Sequence, residues 1–90
     1  MSARILVVDD EEIVIRSCLR ILEGNGYEVD VAHDGHDALG KVESNTYDVM
    51  ILDIMMPNLG GLEVLRRVKE THPDIDVIMI TGLSQIDTAV

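Results

Sequence analysis

Ninety residues amount to a single domain with a single core, one that buries roughly 60 to 65% of the surface its unfolded chain exposes. Apolar residues make up 47% of the chain, with no Phe or Trp and only two Tyr, so its packing rests on Ile, Leu, Val and Met. The 17 acidic residues against 7 basic ones give a formal charge of -10, which repels phosphate backbones and anionic lipid and argues against direct nucleic-acid or membrane binding.

The chain starts "MSARILVVDDEE" and reaches acids too soon for a secretory segment, and no stretch attains the ~18 consecutive apolar residues of a membrane span. Its first run, "ILVV" from Ile5 to Val8, is continuously aliphatic, as a strand covered on both faces requires. A helix is expected over about Glu12 to Gly24, with Val14, Cys18, Ile21 and Leu22 in one stripe and Arg16, Arg20 and Glu23 in another. Gly24 and Gly26 end it. Ile15 and Leu19 stand beside the apolar stripe as the margin of a wide core face or as a contact for a further helix or partner. Cys18 is the only cysteine, so no disulfide forms within the chain, which suits a reducing compartment and a cytoplasmic address.

In "YEVDVA", Tyr27 to Ala32, apolar and acidic residues alternate, the pattern of an edge strand with one wetter face. A second helix, about His36 to Ser44, follows Asp34 as its N-cap and buries Ala38, Leu39 and Val42, with Gly40 weakening it. "VMIL", Val49 to Leu52, is a third strand. A third helix, about Leu62 to Thr71, turns Leu62, Leu65 and Val68 inward and Glu63, Arg66, Arg67 and Glu70 outward, and stops ahead of Pro73. "VIMI", Val77 to Ile80, is the fourth strand, with the first turn of another helix after Ser84.

The order βαβαβαβ, without repeat or linker, predicts one doubly wound parallel α/β sheet over residues 1–90. With "YEVDVA" at the edge, the strand order begins 2-1-3-4, and ligands of such sheets bind at the strand carboxyl ends where the order reverses. The residues following the buried strands there are Asp9 and Asp10, Asp53, and Thr81. Three carboxylates brought together repel one another unless protons or a cation intervene, and hard oxygen ligands without His or Cys favour Mg2+. Two of the acids also have an ordinary reading: Asp10 as the N-cap of the first helix, Asp53 as the end of a strand before a Pro and Gly turn. His33, His36 and His72 lack metal-ligand spacing and read as surface or turn residues, and Arg66, Arg67 and Lys69 as a solvated face.

Together "ILVVDDEE", "DVMILDIMMPNLGGLEVL" and "VIMITG" resemble the receiver domain of bacterial two-component response regulators, whose fold is the flavodoxin-like doubly wound sheet. The acid pair, an Asp followed at plus four by Pro57 and at plus eight by Gly61, and a Thr after the next aliphatic strand carry the resemblance. It implies that Asp53 accepts a phosphoryl group from a sensor histidine kinase, as a phosphoacceptor and not as an enzyme. By the same resemblance Asp10 and Asp53 ligate Mg2+ directly, Asp9 acts mainly through water, the Met55 backbone carbonyl completes the set, and Thr81 bonds the phosphoryl group and switches. "TGLSQIDTAV" is similar to receivers of enhancer-binding transcription activators, which implies a role in transcription regulation.

Receivers continue to a fifth strand ending in lysine, whereas the last lysine here is Lys69 and the sequence ends at Val90. The expectation is therefore a receiver truncated after the fourth strand, whose bared "VIMI" region promotes self-association. Two rivals follow: a receiver-like fragment that binds partners or oligomerises without phosphoryl chemistry, and a small phosphatase with a transient aspartyl phosphate. The phosphatase class wants a second Asp two residues after the nucleophile, where Met55 stands. A dinucleotide site is disfavoured by "DDEE" in place of a glycine-rich turn.

Overall fold

The computed structural model describes residues 3–80. Four strands and three helices alternate: β1 (Arg4–Val8), α1 (Glu12–Gly24), β2 (Glu28–Ala32), α2 (Gly35–Ser44), β3 (Val49–Asp53), α3 (Gly61–Thr71) and β4 (Asp76–Ile80). All strand pairs are parallel and the order is β2-β1-β3-β4, as the edge character of "YEVDVA" predicts. Thr81 and the whole of "TGLSQIDTAV" lie outside the described residues.

Chain direction across the sheet reverses after β2, so right-handed crossovers place α1 on one face and α2 and α3 on the other. Strand alternation then divides the core. Leu6, Val8, Met50 and Leu52 join Ala38, Val42, Val64 and Val68 in one buried cluster with α2 and α3. Ile5, Val7 and Ile15 are buried apart from that cluster, where α1 covers β1 and β2.

Two helices bury a different stripe from the one expected. On α1 the buried residue is Ile15, 2% exposed, while Ile21 is 62% exposed; at 3.6 residues per turn Ile21 stands about 120° around the helix from Ile15. Leu19 and Leu22 flank Ile15 and are half-buried, as are Val14 and Cys18, so the face is centred one residue away from the expected stripe. On α3 the inward residues are Gly61, Val64 and Val68, and Leu62 is 65% exposed because it lies about 160° from Val64. In this rotation Gly61, which has no side chain, sits close against the end of β3, and Val64 and Val68 pack into the core.

Helix ends follow local chemistry. Asp34 caps α2 by accepting from the Asp37 N–H at 2.8 Å. At the end of α1 the Tyr27 N–H bonds the Leu22 carbonyl and the Gly26 N–H the Glu23 carbonyl, a Schellman closure for which Gly26 takes φ 87°.

Candidate functional site

Register alone brings two acids together. Val8 pairs with Leu52, so the next residues, Asp9 and Asp53, stand side by side where β1 and β3 end, at the point where strand order reverses. Both are buried, Asp53 to 1% exposure. The Asp9 Oδ1 accepts the Glu11 N–H at 2.9 Å, and the Asp53 Oδ1 accepts the Met55 N–H at 3.1 Å. Each side chain is thus tied to the backbone two residues on. The other oxygen of each, Oδ2, is buried with no hydrogen-bond partner.

Asp10 is exposed and completes the group: carboxylate oxygens of Asp9, Asp10 and Asp53 lie within 4.8 Å of one another. Among the described residues this is the one cluster of His, Cys, Asp or Glu with metal-ligand spacing. Asp10 is not the helix cap, a role taken by Glu11 without a side-chain hydrogen bond, because Asp10 falls one residue before the first extended-to-helical transition.

Burial pushes the Asp53 carboxyl up to about 6, against the pull of the Met55 N–H, and the negative charges of Asp9 and Asp10 push the same way. Burial raises Asp9 too, with the Glu11 N–H opposing and Asp10 adding. Two buried, half-satisfied carboxylates carry an electrostatic cost of several kcal/mol unless a proton or cation sits between them. The donor set is wholly oxygen and keeps an open side at Asp10, so it fits a small, hard divalent ion better than zinc or copper.

The segment after Asp53 frames this corner. Met56 is buried and Met55 exposed, and Asn58 adopts φ 66° behind Pro57, a left-handed turn residue of the type Asn tolerates. The two backbone N–H groups that hold Asp9 and Asp53 have no side-chain signature, and sequence reasoning did not include them. His33 and His36 are exposed, and His72 caps α3 with Nδ1 2.8 Å from the Thr71 Oγ1. Arg66 and Arg67 pair with Glu63, Arg66 also with Glu70, while the Lys69 Nζ reaches the Ile75 carbonyl at 2.6 Å. No helix among the described residues is long and apolar enough to cross a membrane.

Residues 5–90 match the family model described as the response regulator receiver domain. The response regulator MprA of Mycobacterium tuberculosis (strain H37Rv) is 44% identical over 90 residues, which are 100% of this chain and 39% of MprA. Hence the chain spans well under half the length of that relative. The response regulator TrrA from Thermotoga maritima, solved in complex with Mg(2+)-BeF, superposes with a TM-score of 0.86 at 40% identity, over 100% of this chain and 77% of TrrA. A chain from the complex of histidine kinase ThkA with TrrA matches with a TM-score of 0.84 at 43% identity, over 91% of this chain and 70% of that one.

Proposed function

The chain belongs to the response regulator receiver domain family, and from that premise we propose that it is a phosphoacceptor module in which Asp53 takes a phosphoryl group from the phosphohistidine of a sensor kinase. The observation that carries this reading is the Asp53 Oδ2, buried beside Asp9 and Asp10 with no partner of its own. A carboxylate that made its full set of hydrogen bonds would be a structural acid; this one keeps an oxygen free and aimed into an acidic corner.

The Met55 N–H holds Oδ1, leaving Oδ2 as the attacking atom. The new O–P bond forms as the P–N bond to the kinase imidazole breaks, the bonding pair staying with the departing nitrogen, and the product is an acyl phosphate. Asp9, Asp10, Asp53 and the Met55 carbonyl would hold Mg2+, which supplies charge neutralisation for phosphoryl oxygens approaching three carboxylates. Thr81 belongs to the same proposal, as the hydroxyl that bonds a phosphoryl oxygen and reports phosphorylation. Residues 1–90 belong to one receiver unit in this reading, located in the cytoplasm, and a sensor histidine kinase is the partner; TrrA, whose structure with ThkA matches this chain, supports that assignment. Catalysis by the chain is confined to acquiring the phosphoryl group and losing it to water.

The test is incubation with Mg2+ and acetyl phosphate or phosphoramidate, followed by intact mass. Gain of one phosphoryl group by the wild type and none by Asp53→Ala is the expected result. A wild type that binds Mg2+ but gains no mass overturns the proposal.

A second reading concerns association. Ile78 is 53% exposed on β4, which is hydrogen-bonded on one side only among the described residues, so copies of the chain would pair along this edge. Sedimentation across a concentration series should show dimers; monomer throughout would overturn it.

A further inference from the structure

Gly61 is buried at the first turn of α3, and its N–H bonds the Ile54 carbonyl at 3.1 Å. A Cβ built there would overlap the Asp53 carbonyl oxygen and stand 2.7 Å from the Ile54 Cα and 2.9 Å from the Asp53 carbonyl carbon. All three obstacles are backbone, so no rotamer change relieves them. The need is for room and not for conformation, since among the described residues Gly26 is the glycine with positive φ. At Gly60, one residue earlier, the nearest atom to a Cβ is the Ile54 oxygen at 4.0 Å. Of the two glycines at this helix start only Gly61 is tight, and it presses on the residue that carries the reactive carboxylate.

We propose that Gly61 is a positioning residue for Asp53: its bare Cα lets the end of β3 settle against α3, which fixes where the Asp53 carboxylate stands relative to Asp9 and Asp10. The proposal rests on the reading of Asp53 as a metal-ligating phosphoacceptor. An added methyl has to move either α3 or the end of β3. Val64 and Val68 lock α3 into the core, whereas Asp53 is the last residue of its strand and is the one that yields. A small divalent ion demands close ligand distances and near-ideal angles, so a displacement of part of an ångström separates Asp53 from Asp10 as a ligand pair.

Gly35 provides a matched control. A Cβ there would meet the Leu59 carbonyl oxygen and the Val64 Cγ2, each at 2.8 Å, and the Leu59 Cβ at 2.9 Å, so alanine strains the packing of α2 on Leu59 and α3, with no Asp53 atom among its three nearest neighbours. Gly35→Ala, Gly60→Ala and Gly61→Ala are compared with the full chain for urea stability, for Mg2+ affinity by calorimetry, and for the metal-free Asp53 carboxyl carbon shift by NMR. The expected result is that Gly35→Ala and Gly61→Ala both lose stability, while only Gly61→Ala moves the Asp53 signal and weakens Mg2+ by about 10- to 100-fold. Equal Mg2+ affinity in the two destabilised variants overturns the proposal. So does a Gly61→Ala chain that stays unfolded even when an excluded osmolyte such as TMAO is added, because the glycine is then a requirement of the fold alone. Phosphoryl uptake by the wild type is read in parallel: its absence counts against the phosphoacceptor function, while the Mg2+ and NMR readouts still decide the role of Gly61.

Discussion

Asp9 and Asp53 stand abreast at the ends of β1 and β3, each with Oδ1 tied to a backbone N–H and Oδ2 buried without a partner. In the metal-free protein this juxtaposition opposes folding at neutral pH. The folded-state value of Asp53, about 6, lies above its ordinary value of 3.8. Between the two, the folded state holds a proton that the unfolded state has released, so stability falls as pH rises through that window. Asp53→Asn, neutral at every pH, escapes the fall. In EDTA at pH 7 it should be more stable than wild type by on the order of 1 to 3 kcal/mol, and the gap should shrink on titration to pH 4. Urea denaturation at several pH values measures it, and a constant gap would contradict this account.

Cation binding reverses the sign. An ion held by the folded state alone stabilises by mass action, about 2.7 kcal/mol at a hundredfold excess over Kd. Mg2+ should therefore raise the melting temperature of the wild type in a dose-dependent way. Asp53→Asn and Asp10→Asn, which each remove a direct ligand, should lose most of that shift. A thermal series in Mg2+ and in matched KCl separates ligation from salt screening.

On α1 the test is packing. Ile15 is buried and Ile21 is not, so Ile15→Ala should cost about 2 to 5 kcal/mol and Ile21→Ala within about 0.5 kcal/mol. Denaturation midpoints of the two variants, measured side by side, check the helix rotation directly.

That rotation also marks where sequence reasoning stopped. Strand identity and order were legible because the aliphatic runs, the alternation in "YEVDVA" and the crossover rule are local or topological signals. The site was legible for the same reason: residues immediately after buried parallel strands share one rim, so Asp9, Asp10 and Asp53 could be placed together. Rotation on α1 was not legible, because Val14, Ile15, Cys18, Leu19, Ile21 and Leu22 spread over about 160° of the helix circumference and a wide apolar surface has no unique centre. On α3 the first inward residue is Gly61, which has no side chain and lies against the Asp53 backbone, a position that apolar periodicity cannot report. The N–H donors of Glu11 and Met55 escaped because backbone groups carry no residue-type signal.

A last prediction concerns the opposite end of the sheet. The Asp30 Oδ2 accepts from the Tyr47 hydroxyl at 2.7 Å and from the Arg4 Nη2 at 2.8 Å, and the Arg4 guanidinium lies 5.2 Å from the Tyr47 ring centroid. The Tyr47 hydrogen bond holds the Asp30 carboxyl below its ordinary value, with Arg4 assisting, while burial and Asp30 push the phenol up to about 12. An acid whose folded value is depressed contributes stability that is present above its ordinary value of 3.8 and lost as pH falls through the folded value. Tyr47→Phe should cost about 1 to 1.5 kcal/mol at pH 7, at or just below the low end of the range for bonds to charged groups because solvent reaches Asp30. The Asp30 carboxyl should then titrate at higher pH by NMR, and the stability gap to wild type should close in acid, whereas a Tyr47 that acted only as a buried ring would leave a gap independent of pH.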